Sequence, residues 1–193
     1  TWIKQRDAVR GQNWYDVLRG KNNILFSNST GAQDTTSTQV LQSFDTDGFS
    51  LGNLAAVNAS GGEYVSWNWK ANSTPAINTD GTIQSIVSAN QAAGFSIISY
   101  TGIGGDGTVG HGLTSAPELL IIKGRVTTND WAVLSAYGSD GDFLQLNSNA
   151  AESGAGSIFG STFTRPTSTV FSIGNTGETG TNNSAYMAYC FHS

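Results

Sequence analysis

Apolar and polar positions alternate with a period of two along most of this chain, and almost nowhere with the 3.6-residue period of an amphipathic helix. Short β-branched or aromatic runs, bounded by Gly, Asn, Asp and Ser, predict strands near 1–4, 23–27, 39–44, 48–53, 62–70, 82–88, 94–101, 117–124, 130–137, 142–147, 168–174 and 184–192. Asp-Gly recurs at 47–48, 80–81, 106–107 and 140–141. Both residues tolerate positive φ and suit tight turns between strands. Residues 82–88 and 95–100, joined across 90–94, read as a hairpin, with a short helix over 83–92 as the rival. Residues 101–113 read as a glycine-dense loop, a connector with no helix pattern after it. Many short strands at this spacing predict an all-β chain, an antiparallel β-sandwich or barrel with negligible helix.

The same pattern occurs twice. Phe49-Ser50-Leu51-Gly52-Asn53 is answered by Phe171-Ser172-Ile173-Gly174-Asn175, and Tyr64-Val65-Ser66-Trp67-Asn68-Trp69 by Tyr186-Met187-Ala188-Tyr189-Cys190-Phe191, all at a constant offset of 122. Upstream, Ile3-Lys4-Gln5-Arg6 matches Ile122-Lys123-Gly124-Arg125, Asn13-Trp14-Tyr15-Asp16-Val17 resembles Asp130-Trp131-Ala132-Val133, and Leu25-Phe26-Ser27-Asn28 matches Leu146-Asn147-Ser148-Asn149. The copies span about 1–71 and 117–193, joined by a hairpin insert at 72–116. A period near 120 is too long for a solenoid, whose units run roughly 20–50 residues. It predicts one sandwich unit with an internal duplication, 1–193, within a longer protein. Side chains alternate across a strand, so Val65, Trp67 and Trp69 share one face, as do Met187, Tyr189 and Phe191. Both sets are large and apolar, which assigns that face to the inter-sheet core. The strand ending at Ser193 is expected to lack the hairpin partner that Ile97 and Tyr100 supply to the first copy.

Composition narrows the class. Charged residues are only 12% of the chain, against roughly 25% in average domains. Neutral hydroxyls and amides replace them. Five Trp, nine Phe and six Tyr exclude disorder. The net charge of −5 and the scattered basic residues argue against a nucleic-acid footprint. No run of 18 apolar residues predicts a membrane span. The single cysteine, Cys190, allows no intrachain disulfide. This fits folding in a reducing cytosol with later exposure to the outside.

Candidate chemistry is sparse. The glycines at 102–107 lack the following helix and Gly-Lys-Ser/Thr that a phosphate loop needs. Cys190 and His192 fall on one strand face, a poor geometry for a nucleophile and its base. Glu63, Glu118, Glu152 and Glu178 are dispersed, where a glycosidase needs two carboxylates face to face. Asp45-Thr46-Asp47-Gly48 and Asp140-Gly141-Asp142 read as turns; neither continues into a twelve-residue calcium loop. No catalytic residue, metal site or cofactor is expected. Trp14, Tyr15, Asp16, Asp130 and Trp131 carry the aromatic and carboxylate chemistry of sugar sites, as do Asp106 and His111.

At Trp2-Ile3-Lys4-Gln5-Arg6-Asp7, Asp47-Gly48-Phe49-Ser50-Leu51-Gly52, 64–71, 94–102, Val109-Gly110-His111-Gly112-Leu113 and Ala116-Pro117-Glu118-Leu119, the chain resembles a family of tailed-phage virion proteins found in marine phages. The resemblance implies a concanavalin-like jelly roll carried in a longer virion protein. It brings no established catalytic residues. In such proteins another Gly-Phe/Tyr-Ser strand follows the equivalent of 186–193. The expectation is a non-enzymatic virion module at the virion surface, in a tail fibre or similar appendage, forming homo-oligomers, contacting other virion proteins and binding host-surface glycan. The alternative is a purely structural subunit that decorates a capsid or builds a filament, with no ligand.

Overall fold

A computed structural model describes residues 1–71 and 74–193. Among the described residues the strands are, in chain order, β1 Trp2–Gln5, β2 Asn13–Trp14, β3 Leu25–Phe26, β4 Leu41–Phe44, β5 Phe49–Leu51, β6 Tyr64–Trp67, β7 Ala76–Asn78, β8 Ser85–Asn90, β9 Phe95–Thr101, β10 Gly107–Gly110, β11 Leu119–Gly124, β12 Ala132–Ser135, β13 Asp142–Gln145, β14 Ser153–Gly154, β15 Val170–Ile173 and β16 Ala185–Phe191. A one-turn helix, α1 Ala55–Asn58, and a 3₁₀ turn, Gln91–Ala93, are the helical pieces. All paired strands run antiparallel. The fold is all-β, as the period-two pattern predicts.

The chain divides into two compact units, Thr1–Trp69 and Lys70–Ser193. Each copy has a core of its own. The first unit has a four-stranded sheet, β3-β2-β1-β6, and a two-stranded sheet, β4-β5. Ile3, Tyr15, Ile24, Val40, Leu41 and Val57 are buried between these layers, with Phe49, Leu51 and Tyr64 half-buried beside them. The second unit has an eight-stranded sheet, β14-β13-β12-β11-β16-β9-β8-β7, and a two-stranded sheet, β10-β15. Its core is larger and includes Ile98, Tyr100, Leu120, Ile122, Val109, Phe171, Ile173, Tyr186 and Cys190.

The duplication extends to several hydrogen bonds. Tyr64 Oη donates to Ala55 O at 2.7 Å and accepts from Ala59 N–H at 2.7 Å. Tyr186 Oη donates to Gly177 O at 2.9 Å and accepts from Thr181 N–H at 3.0 Å. Each tyrosine thus ties the loop before its own strand. Lys4 Nζ bonds the carbonyls of Gln5 and Ala8, and Lys123 Nζ those of Gly124 and Thr127. Burial draws the Lys123 ammonium down to about 8. Upstream, the offset is uniformly 119. Asn13 pairs with Phe26 as Ala132 pairs with Gln145, and Asn28 Oδ1 accepts from Gln12 N–H as Asn147 Oδ1 accepts from Trp131 N–H. Trp14 therefore corresponds to Val133 and Trp131 to Gln12, which corrects the match of Trp14 with Trp131. Leu25 correspondingly answers Leu144, not Leu146.

Two further expectations change. The inter-sheet core takes Tyr186, Ala188 and Cys190, not the Met187, Tyr189 and Phe191 face. The tyrosine hydroxyls, fixed to loop backbone, turn that face inward, and alternation sends the next aromatic outward. In the first unit the outward face becomes a tryptophan ladder. Trp2 lies 5.1 Å from Trp14 and 5.0 Å from Trp67 between ring centroids, and Trp14 stacks on Trp69 at 6.0 Å. The partner of the last strand is also reassigned. The β8–β9 hairpin forms, with Asn90 Oδ1 capping the 3₁₀ turn at Ala93 N–H and Gly94 at φ 61° closing it. But β9 pairs with β16 over its full length, from Phe95↔Phe191 to Thr101↔Ala185. The insert completes the second copy, not the first. Within 101–113, read as loop, β10 pairs with β15.

Candidate functional site

The approach of residues 81–83 to β10 builds the floor of a groove in the second unit. Thr82 N–H donates to Thr108 Oγ1 at 2.9 Å, and Thr108 N–H returns a bond to Thr82 Oγ1 at 2.9 Å. Ile83 N–H adds a bond to Thr108 O at 3.0 Å. The chains come so close that a Cβ on Gly81 would lie 2.3 Å from Thr108 O. Only glycine fits there. Opposite stand Ser161, Thr162, Thr164 and Ser172, and the depression they enclose has a volume of about 370 Å³. Asp106 lies at its rim. Its Oδ2 accepts from Ser161 N–H at 3.0 Å and from Ser161 Oγ. These bonds hold its carboxyl below the ordinary carboxylate range. The result is an open groove in which neutral hydroxyls and one ionised carboxylate stand beside Gly107, Gly160 and Ile173.

Of the residues singled out from the sequence, Asp106 is brought to this groove. The others are placed elsewhere and serve the packing. Trp14 is 3% exposed, and Tyr15 and Trp131 are fully buried. Asp16 is buried against Arg19, with Nε to Oδ2 at 2.6 Å. Asp130 accepts from Gln145 Nε2 at 2.9 Å and Asn147 Nδ2 at 2.7 Å, fixing the entry to β12. The exposed tryptophans are Trp67 and Trp69 instead. Cys190 lies in the core, where burial raises its thiol well above the ordinary range. Among the described residues, no three His, Cys, Asp or Glu gather as a metal site.

His111 is a fastener. Its ring is buried, Nδ1 accepts from Leu113 N–H at 3.1 Å, and Nε2 donates to Thr167 O at 3.2 Å. Those roles define the neutral ring with its proton on Nε2. Desolvation lowers the ring's pKa; the Thr167 carbonyl and Asp80 oppose the shift, and His192 adds to it. A histidine with a depressed folded pKa stabilises least when the unfolded ring takes the proton. The His111 contribution should therefore be constant down to about pH 6.5 and be lost towards pH 5. Asp7, Asp34 and Asp106, with lowered carboxyl pKa values, should add their losses only below about pH 4. Thermal midpoints across that range, with His111→Gln flattening the slope between pH 6.5 and 5, check this. An unchanged slope in the variant would assign it to other groups.

Sequence reasoning missed Thr82, Thr108, Ser161, Thr162, Thr164 and Ser172. Hydroxyl residues occur throughout this chain, and nothing in their spacing marks these six. No helix among the described residues is long and apolar enough to cross a membrane. No curated protein and no solved structure matches the chain. A family model matches residues 1–193 throughout, and the chain belongs to that family, described as Domain of unknown function (DUF7483).

Proposed function

We propose that the chain is a non-enzymatic module of a phage virion, exposed in a tail fibre or similar appendage, and that it binds host-surface glycan at the Asp106 groove. The hydroxyl-lined groove carries this reading. An uncharged polyhydroxyl ligand exchanges bonds with hydroxyls and backbone amides, and a positioned carboxylate gives stronger acceptor bonds than a neutral oxygen. The shallow, open form suits one or two sugar rings of a longer chain. The resemblance to tailed-phage virion proteins and the sparsely charged, acidic composition support the setting, and the concanavalin-like jelly roll remains part of the same reading.

A glycan array probed with the multimerised chain tests it. Binding should be lost, or weakened about tenfold, in Asp106→Ala. Thermal stability should change little, because Asp106 is exposed. A blank array with the native protein would sink the glycan reading. A strand edge in the first unit that is unpaired among the described residues favours the second reading, a structural subunit that assembles through strand pairing and holds no ligand.

A further inference from the structure

The two copies share residues, register and loop bonds, yet one is finished and the other is not. In the second unit the insert supplies a strand to each layer: β9 pairs with β16 and β10 pairs with β15. In the first unit, β6 pairs with β1 alone and β5 with β4 alone among the described residues. The Gly52 N–H bond to Val40 O and the Gly174 N–H bond to Ile158 O put β4 on the side of β5 away from the one that β10 takes on β15. Both open edges of the first unit are thus the edges that the insert fills in the second.

The side chains record the same gap. Phe171 is 1% exposed, and Ile173 and Tyr186 are fully buried. Their counterparts Phe49, Leu51 and Tyr64 are only half-buried. Tyr100 makes the difference. It stacks on Tyr186 with centroids 5.3 Å apart, meets Phe171 edge-on at 6.1 Å, and donates its hydroxyl to Thr179 O at 2.8 Å. The backbone is ready as well. Arg6 N–H donates to Glu63 O at 2.7 Å, so the odd residues of β6 face β1. Alternation then turns the peptide groups of Tyr64 and Ser66 outward. On β16 the equivalent groups face β9, where Gly102 N–H reaches Ser184 O and His192 N–H reaches Gly94 O, both at 2.8 Å.

We infer that the first unit is a strand acceptor: its β6 edge takes an extended segment of the β9 type, antiparallel, with an aromatic ring at the Tyr100 position against Tyr64 and Phe49. The occupant is an insert segment from another repeat of this domain. The β9 within this chain is already held between β16 and β8, so it is not the donor. Backbone bonds would supply affinity, and the alternate side chains entering the open core would supply specificity. This stands independently of glycan binding.

The probe is a synthetic peptide with the sequence of residues 94–102, flanked by lysines, added to the whole chain. Saturable one-to-one binding is expected, with amide exchange at Tyr64 and Ser66 slowed about tenfold or more and exchange in β16 unchanged. A peptide with Ile98→Asp and Tyr100→Asp should not bind. Ser66→Pro in the protein should abolish binding, since that N–H points away from β1; if the variant does not fold, the peptide pair still decides. Equal binding of both peptides, or no slowing with the first, would overturn the inference. So would slow exchange at Tyr64 and Ser66 in the chain alone, or a concentration-dependent dimer that protects them, because a second copy would then be the occupant.

Discussion

Arg19→Met should destabilise the first unit by about 3–5 kcal/mol, the cost of leaving one half of a buried ion pair behind. The guanidinium and the Asp16 carboxylate are almost completely buried, and Nε lies 2.6 Å from Oδ2. Arg19 N–H also donates to Asp16 Oδ1 at 2.9 Å, Nη1 to Asn23 O at 2.8 Å and Nη2 to Trp14 O at 2.9 Å. One side chain therefore neutralises a carboxylate and satisfies two carbonyls in the turn after β2. The methionine fills much of the volume but answers none of these groups. Asp16→Leu together with Arg19→Met should cost less than Arg19→Met alone, since no unpaired charge remains. Urea titration followed by tryptophan fluorescence reads this directly, because Trp2, Trp14, Trp67 and Trp69 all lie in residues 1–69. A cost under about 1 kcal/mol would mean that Asp16 finds water or takes a proton when Arg19 is gone.

The second copy solves the same turn differently. Ser135 and Gly138 occupy the positions of Asp16 and Arg19. Arg165, from a distant segment, donates to Ser135 O at 2.5 Å and Gly138 O at 2.7 Å, with Nε 2.7 Å from Asp140. The Asp140 side chain is 83% exposed, so its charge is screened and the Arg165–Asp140 pair contributes little. A guanidinium serves this turn in both copies but binds different carbonyls, Trp14 and Asn23 in the first and Ser135 and Gly138 in the second.

Such substitutions mark where the sequence could be read and where it could not. Alternation located β6, β9, β11 and β16 because their side chains pack on a pleated surface. It passed over β10, whose Gly107-Thr108-Val109-Gly110 shows no contrast between faces, and β2 and β14, which are two residues long. It also chose the wrong core face for β6 and β16. Both faces of β16 are buried, and hydrophobicity cannot rank two buried faces. What decides is the tyrosine hydroxyl bound to loop backbone, and a pattern of apolar positions does not encode that. Aligning tryptophan with tryptophan puts residues 13–17 two residues out of step with their second copy. Hydrogen bonds align Trp14 with Val133. The groove was legible only at Asp106, since its hydroxyls come from four separate stretches of chain. The burial of Tyr15, Asp16, His111 and Trp131 depends on long-range packing that no local window contains.

The unequal finish of the two copies makes a second large effect predictable from one pair of residues. Tyr186→Ala should cost about 4 kcal/mol, the usual range for deleting a buried aromatic ring. The ring is fully buried, stacks on Tyr100, and its hydroxyl holds Gly177 O and Thr181 N–H. Tyr64→Ala should cost about half as much, because its side chain is already partly exposed and, among the described residues, no ring stacks on it as Tyr100 does on Tyr186. The phenylalanine variants should behave differently. Each removes the same two loop bonds, so Tyr64→Phe and Tyr186→Phe should cost a similar amount, about 1–2 kcal/mol. Urea unfolding of the four variants separates the two contributions: the ring measures the missing strand, and the hydroxyl measures the loop. Equal losses for the two alanine variants would show that the edge beside Tyr64 is already covered in solution. A gap that closes when the residue 94–102 peptide is added would show that a β9-type strand supplies the burial the first copy lacks.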